Sequence, residues 1–195
     1  MMLRHFAPFL FALAVGTAAA ADTSRMKAGV FDPPRAAPPI SMRAVDGTQF
    51  SLDRHRGKVV VLVFGYTACG DVCPVTAGML AQARRKLGDR ADKLQVVFVS
   101  VDPERDTPQA LREYLANFDK SFIGITGTEQ QMAAIRNAYG IQAKSHPLGA
   151  GKNDYVISHS TFLYLIDPQG KLRALMPFGH SPADIVHDFE ILMGR

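Results

Sequence analysis

Two continuous apolar runs, residues 58–64 and 94–101, are the strongest features of the hydrophobic pattern. Both runs are rich in β-branched residues and neither shows a sustained alternation with polar positions, which is typical of strands buried on both faces. Between them, apolar residues recur at helical spacing from Pro74 to Gly88. A strand, a helix and a second strand in this order predict a right-handed crossover and a parallel pair of strands.

The rest of the pattern predicts further elements around this unit. They are a β-hairpin at 40–52 turning at Asp46-Gly47, a helix at 108–118 opened by Asp106, Thr107 and Pro108, a short strand at 122–125, a helix at 128–139 with a capping box of Thr128 and Gln131, a strand pair at 161–166 and 171–176, and a last helix after Ser181. Residues 142–154 lack periodicity and predict an exposed loop. This order predicts an α/β fold, a thioredoxin-like sandwich with an N-terminal β-hairpin and an inserted βα element.

The first 39 residues predict two segments outside this fold. Residues 1–21 combine Arg4, an apolar stretch and four final alanines, the plan of a signal peptide cleaved near Ala21. The apolar stretch is shorter than the about 18 residues of a membrane span, which favours cleavage over an uncleaved anchor. Residues 22–39 are rich in proline and predict an extended leader, more tether than structure, which leaves 40–195 as the thioredoxin-like domain. Such export predicts a periplasmic protein.

Length and charge narrow the class of function. A chain of 195 residues with 47% apolar residues can fill the core of one domain. Its net charge of +4 at pH 7 is small and dispersed, which argues against nucleic acid as a partner. We expect contact with a membrane only through partner proteins or through an uncleaved N-terminus.

The only two cysteines, Cys69 and Cys73, lie between the first buried strand and the helix that follows it. On a helical turn this spacing puts both sulfurs on one face, and a helix N-terminus favours the thiolate, with a pKa of roughly 3.5 to 7.5. A disulfide closing so short a loop stabilises a fold little, so a purely structural bond is the weaker interpretation. The spacing alone leaves a redox-active pair and a metal site both open.

A third donor would favour metal. His159 immediately precedes the last strand pair, where thioredoxin-like folds carry the loop that faces the cysteines. Two thiolates and an imidazole form a soft ligand set that suits Cu(I), or Cu(II) with a fourth donor, while structural zinc usually takes four protein ligands. The other histidines of the mature chain are expected on the surface: His55, His146, His180 and His187.

Four separated motifs resemble the Sco/SenC family of copper-binding, thioredoxin-like proteins. They are residues 67–74 (TACGDVCP), 100–107 (SVDPERDT), 114–118 (YLANF) and 159–167 (HSTFLYLID). The resemblance implies a copper chaperone with ligands Cys69, Cys73 and His159. Its implied partners are the copper-bearing subunit of cytochrome c oxidase or another copper chaperone. The family commonly has His-Cys-Pro where this chain has Ala68-Cys69-Gly70, which loosens the backbone beside the first ligand.

Two carboxylates follow the second buried strand on the same predicted sheet edge as the cysteines. Asp106 or Thr107 is explained as the cap of the next helix, and both Asp102 and Asp106 are candidates for a place near bound metal. Asp102 could orient His159 there or accept a partner's cationic group. The leading hypothesis is therefore a periplasmic copper metallochaperone. The alternative is a thiol–disulfide oxidoreductase in which Cys69 attacks a partner disulfide and Cys73 resolves it. Either function needs a thiol reductase in the same compartment, because exported cysteines are otherwise oxidised.

Overall fold

The structure is a computed structural model that describes residues 23–194. The expected signal peptide at residues 1–21 lies outside the described residues. No helix among residues 23–194 is long and apolar enough to cross a bilayer.

Ten strands and four α-helices make up the described chain. The strands are β1 (Gly29–Ala36), β2 (Ser41–Arg43), β3 (Gln49–Ser51), β4 (Val59–Gly65), β5 (Leu94–Ser100), β6 (Ile123–Ile125), β7 (Ala143–Pro147), β8 (Tyr155–His159), β9 (Leu163–Ile166) and β10 (Lys171–Met176). The helices are α1 (Val72–Lys86), α2 (Pro108–Ala116), α3 (Glu129–Ala138) and α4 (Pro182–Leu192), with short 3-10 helices at Leu52–His55 and Gly88–Lys93.

A six-stranded sheet in the order β1-β10-β9-β4-β5-β6 forms the centre of the molecule. Its central strands β4 and β5 pair in parallel, as the apolar runs predict, and every residue in both is buried. Strand β6 continues the parallel half, while β9 and β10 run antiparallel to their neighbours. The predicted thioredoxin-like α/β fold is confirmed, and so is the hairpin of β2 and β3, which turns at Gly47 with a φ of +86°.

The proline-rich leader differs from the expected tether. Residues Gly29–Ala36 form β1, an edge strand that pairs antiparallel with β10 through a register shift between Val30 and Arg35. Just before it, the backbone N–H groups of Lys27 and Ala28 donate to the buried carboxylate of Asp188 on α4. Proline lacks a backbone donor and is tolerated at a sheet edge, so a proline-rich composition does not exclude a strand there.

The expected loop at 142–154 is also different, because its first part is the strand β7, which pairs with β8 as a two-stranded hairpin. Every residue of β7 is exposed, so the hairpin has no buried face on that strand. A strand without a buried face shows no alternation of apolar and polar residues, which explains why the sequence predicts a loop.

Candidate metal centre

The register of the central sheet brings the cysteine segment and His159 to the same edge. Strand β4 ends at Gly65 and leads into the loop with Cys69, and α1 begins at Val72. On the neighbouring strand, Leu163 pairs with Val63, so the residues just before β9 lie beside the end of β4. The result is a distance of 3.6 Å between Cys73 Sγ and His159 Nε2.

Cys73 is fixed inside the protein body. It lies in the first turn of α1, is only 2% exposed, and packs against Gly65, where a Cβ would come within 2.9 Å of its Sγ. Burial raises the pKa of Cys73 far above its ordinary value, and the Cys69 thiol raises it further. The expected low pKa is wrong for this residue. A helix terminus contributes at most about 2 kcal/mol, equal to about 1.5 in pKa, whereas burial shifts a pKa by up to about 3–5.

Cys69 occupies a different setting from Cys73. It precedes α1 instead of lying on it, so the expected helical i, i+4 geometry of the two sulfurs is wrong. Its backbone N–H donates to the carbonyl of Tyr66 at 3.3 Å, and its side chain is half-buried near the Cys73 thiol, whose pKa it raises. Both cysteines are free thiols. Cys69 is therefore the solvent-side member of the pair.

His159 offers its Nε2 to the cysteines. Its Nδ1 lies 2.9 Å from the carbonyl oxygen of Ser160, a pure acceptor, which assigns the ring hydrogen to Nδ1 and a lone pair to Nε2. Burial also lowers the pKa of His159 below its ordinary value of 6.5, so the ring is neutral at pH 7. A neutral imidazole with a free Nε2 is the form that binds metals.

Cys69, Cys73 and His159 are residue types that bind copper, but the three side chains are not gathered around one point. Among residues 23–194, no three His, Cys, Asp or Glu side chains stand close enough together to hold an ion. Cys73 Sγ and His159 Nε2 lie 3.6 Å apart, and Cys69 is the donor that would complete the set. Two sulfurs and one imidazole nitrogen match the soft donors that copper prefers.

Asp106 holds the start of the cysteine loop through hydrogen bonds. It is fully buried and accepts hydrogen bonds from the Thr67 backbone N–H at 3.0 Å, the Thr67 hydroxyl at 2.6 Å and the Ser100 hydroxyl at 2.6 Å. The cap of α2 is Thr107, whose hydroxyl accepts from the N–H of Ala110. Asp106 therefore fixes the start of the segment that carries Cys69.

Asp102 does not orient His159 as expected, because its carboxylate is engaged elsewhere. It accepts from the Tyr155 hydroxyl at 2.7 Å and from Arg105 Nε, and it is 2% exposed. The Ser160 carbonyl holds the His159 ring instead. Asp102 acts on the hairpin of β7 and β8, four residues before His159.

Of the other described histidines, His146 is exposed, as expected, whereas His55, His180 and His187 are half-buried. Their contacts are Ser51 for His55, Ser158 across the hairpin for His146, Asp184 for His180 and Asp188 for His187.

Four residues of the site escape the sequence analysis: Gly65, Tyr66, Arg105 and Tyr155. Gly65 ends the buried strand β4 and Tyr66 follows it, and position at that edge of an α/β sheet is a signal that could have found them. The Tyr66 ring meets His159 edge-on, with centroids 5.9 Å apart. Arg105 and Tyr155 meet only in the folded chain, 50 residues apart, so no local pattern indicates their contact.

The model of the SCO1/SenC family matches residues 32–194. The chain belongs to the SCO1/SenC family. Among curated members, it is 36% identical over 134 residues to "Protein SCO2, mitochondrial" of Saccharomyces cerevisiae, an alignment covering 68% of this chain and 44% of that protein. It is 37% identical over 143 residues to "Putative copper-binding protein" of Stutzerimonas stutzeri, covering 71% of this chain and 68% of that protein. The chain thus spans less than half of the yeast relative.

Solved structures of SCO1/SenC proteins share this fold. The structure of Bradyrhizobium japonicum ScoI with copper bound is 31% identical, has a TM-score of 0.72, and the match covers 80% of this chain and 98% of that one. Yeast Sco1 with copper bound is 29% identical, has a TM-score of 0.70, and the match covers 79% and 86%. The copper in both structures is bound to those two proteins.

Gly70 directly follows Cys69 in the loop before α1. Nothing lies within 4 Å of a Cβ built there, and its φ is not positive. Neither packing nor backbone conformation requires glycine. The glycine therefore leaves the loop after Cys69 freer than another residue would.

Proposed function

We propose that this protein is a periplasmic copper metallochaperone that binds one copper ion through Cys69, Cys73 and His159. The copper is cargo, passed on to the copper-bearing subunit of cytochrome c oxidase or to another copper chaperone. The observation that carries the proposal is the 3.6 Å approach of His159 Nε2 to the buried Cys73 sulfur, with a second thiol beside it. The family and the copper-bound relatives support the choice of metal.

Each ligand contributes a different property. Cys73 releases a proton only when a metal replaces it, because burial holds its thiol in the protonated form. His159 needs no deprotonation, since its lowered pKa keeps the ring neutral. Cys69, on the solvent side, is the first ligand that a recipient's donor atom can replace. Transfer then proceeds by ligand exchange, with the copper moving from the Cys69 side towards the recipient.

The periplasmic location rests on the pattern of residues 1–21, which predicts a cleaved signal peptide. In that oxidising compartment the two thiols form a disulfide unless they are reduced. A disulfide removes both sulfur ligands, so the proposal includes a thiol reductase as a second partner.

One observation favours an alternative, a thiol–disulfide oxidoreductase acting on periplasmic cysteine pairs. A half-buried Cys69 near a buried Cys73 is also the arrangement of an attacking thiol and its resolving partner. In that reaction Cys69 forms a mixed disulfide with the partner, Cys73 displaces the partner's thiolate, and the pair ends as the disulfide. His159 is not required for these steps.

The test is a copper titration of the reduced protein beside His159→Ala, with His146→Ala as the matched control on the same hairpin. We expect about one copper per chain and a sulfur-to-Cu(II) charge-transfer band for wild type and His146→Ala. His159→Ala should lose the band while its disulfide still forms. Copper binding that survives unchanged in His159→Ala, together with fast disulfide exchange, would contradict the carrier and support the oxidoreductase.

A further inference from the structure

His159 lies at the end of a hairpin that is not part of the central sheet. Among residues 23–194, β7 and β8 pair only with each other and form a sheet of their own. Cys73, in contrast, sits on a helix packed over the six-stranded sheet. The distance between the two ligands therefore depends both on the pairing of β9 with β4, which fixes the chain just after His159, and on whatever attaches the hairpin to the protein body.

Side chains provide that attachment. Arg105 Nη1 donates to the carbonyls of Asn153 at 3.1 Å and Tyr155 at 2.9 Å, and its Nε donates to Asp102. The guanidinium lies 3.7 Å from the centre of the Tyr155 ring, and the Tyr155 hydroxyl donates to the other oxygen of Asp102. Arg105 thus bonds to Asp102 on the protein body and to two backbone carbonyls at the start of β8.

A second contact lies further along β8. The backbone N–H of Ile157 donates to the Tyr66 hydroxyl at 3.2 Å, and the Tyr66 ring then meets His159. The Arg105 guanidinium stands 5.6 Å from the same Tyr66 ring. The contacts fall at residues 155, 157 and 159, which is one side of the strand, since alternate residues share a face.

We propose that Arg105, Asp102 and Tyr155 are positioning residues that hold the β7–β8 hairpin closed and so keep His159 beside Cys73. The consequence for metal binding rests on the proposed function. None of the three touches the ligands, so they act only through the placement of β8. When the contacts open, His159 moves away as one unit with the hairpin, and the copper keeps only its two sulfur ligands.

The buried setting makes these contacts selective for one arrangement. Asp102 is 2% exposed and the Arg105 side chain is 14% exposed, so little water competes for their hydrogen bonds while the hairpin is closed. The planar fork of arginine matches a carboxylate and two carbonyls together, which lysine cannot do. Loss of a bond made directly to a metal ligand typically lowers metal affinity by about 10–100-fold, and residues that act through the placement of β8 are expected at the lower end of that range.

The experiment compares Tyr155→Phe and Arg105→Lys with wild type, using Tyr139→Phe as control. Tyr155→Phe removes only the hydroxyl that bonds Asp102, and Arg105→Lys keeps the charge but loses the fork. Tyr139→Phe removes a similar buried hydrogen bond, to the carbonyl of Pro38, away from the hairpin. Hydrogen exchange of the Ile157 amide in the copper-free reduced protein reports the attachment, and copper affinity with the charge-transfer band reports His159.

We expect Ile157 exchange to rise about tenfold or more and copper affinity to fall about tenfold in both variants, with the control unchanged. Unchanged Ile157 exchange in Tyr155→Phe and Arg105→Lys would overturn the inference. So would wild-type copper affinity and an unaltered band in both. If wild type itself binds no copper, the proposed function fails, and the exchange measurement still decides whether these residues hold the hairpin.

Discussion

The two halves of the candidate site differ in how the protein holds them. Cys73 belongs to the sheet and helix body, where β4 and β5 are buried along their whole length and Asp106 anchors the adjoining loop. His159 belongs to a hairpin whose strand β7 is exposed throughout and whose attachment consists of side chains. A carrier has to bind its metal and later release it. In the proposed carrier, a sulfur fixed in the body and an imidazole on a separately attached hairpin would satisfy both requirements in one site.

Gly65 tests the rigid half and gives the largest expected effect. A Cβ there would come within 2.7 Å of the Phe98 ring and 2.9 Å of Cys73 Sγ, both of which are buried. Gly65→Ala should therefore lower the free energy of unfolding by about 2 kcal/mol and displace Cys73. Urea denaturation of the reduced, copper-free protein measures it.

A matched control for this change is available on α1. Nothing lies within 4 Å of a Cβ at Gly78, so Gly78→Ala should stabilise the helix by about 0.5–1 kcal/mol. Equal stability of Gly65→Ala and wild type would show that the packing around Cys73 is looser than described.

The two cysteines should differ in reactivity. In the reduced, copper-free protein, we expect iodoacetamide to modify Cys69 at least about tenfold faster than Cys73, because the thiolate is the reactive form and burial raises the pKa of Cys73. Since that raised pKa keeps the thiol protonated at higher pH, raising the pH from 7 to 9 should leave Cys73 slow. Both cysteines lie in the tryptic peptide of residues 59–84, so tandem mass spectrometry of that peptide over time measures the rate at each site. Equal rates at the two sites would contradict the buried position of Cys73.

Gly70, next to the half-buried Cys69, gives the smallest expected change in stability. Gly70→Ala should raise the free energy of unfolding by less than about 1 kcal/mol, because alanine reduces the freedom of the unfolded chain and meets no atom in the folded one. The same urea denaturation, run beside Gly65→Ala, provides the contrast between the two glycines. A loss of stability in Gly70→Ala would mean that the loop needs glycine after all.

The parts of the fold with a buried face could be predicted from the sequence. The apolar runs give β4 and β5, and the residues Thr128 with Gln131 and Ser181 with Pro182 give the starts of α3 and α4. Strand β1 and the hairpin of β7 and β8 could not, because their pairing is set by partners far along the chain, such as Leu175 for Gly29. Backbone hydrogen bonding at an edge leaves little trace in hydrophobic periodicity.

The candidate ligands could be predicted from the sequence, whereas the residues that position them could not. Cys69, Cys73 and His159 are suggested by residue type and by position next to strands, and the structure brings Cys73 and His159 together. The roles of Asp102, Arg105 and Tyr155 depend on contacts between segments about 50 residues apart, which no motif records. Burial of Cys73 reversed the direction expected for its pKa, because the sequence shows the helix terminus but not the depth.

X-ray absorption at the copper edge of the Cu(I)-loaded, reduced protein tests the central claim most directly. The account predicts a first shell of two sulfurs and one nitrogen in wild type, with the nitrogen lost in His159→Ala and both sulfurs kept. A wild-type spectrum with two sulfurs and no nitrogen, or one unchanged by His159→Ala, would contradict the convergence of Cys69, Cys73 and His159 on one copper ion.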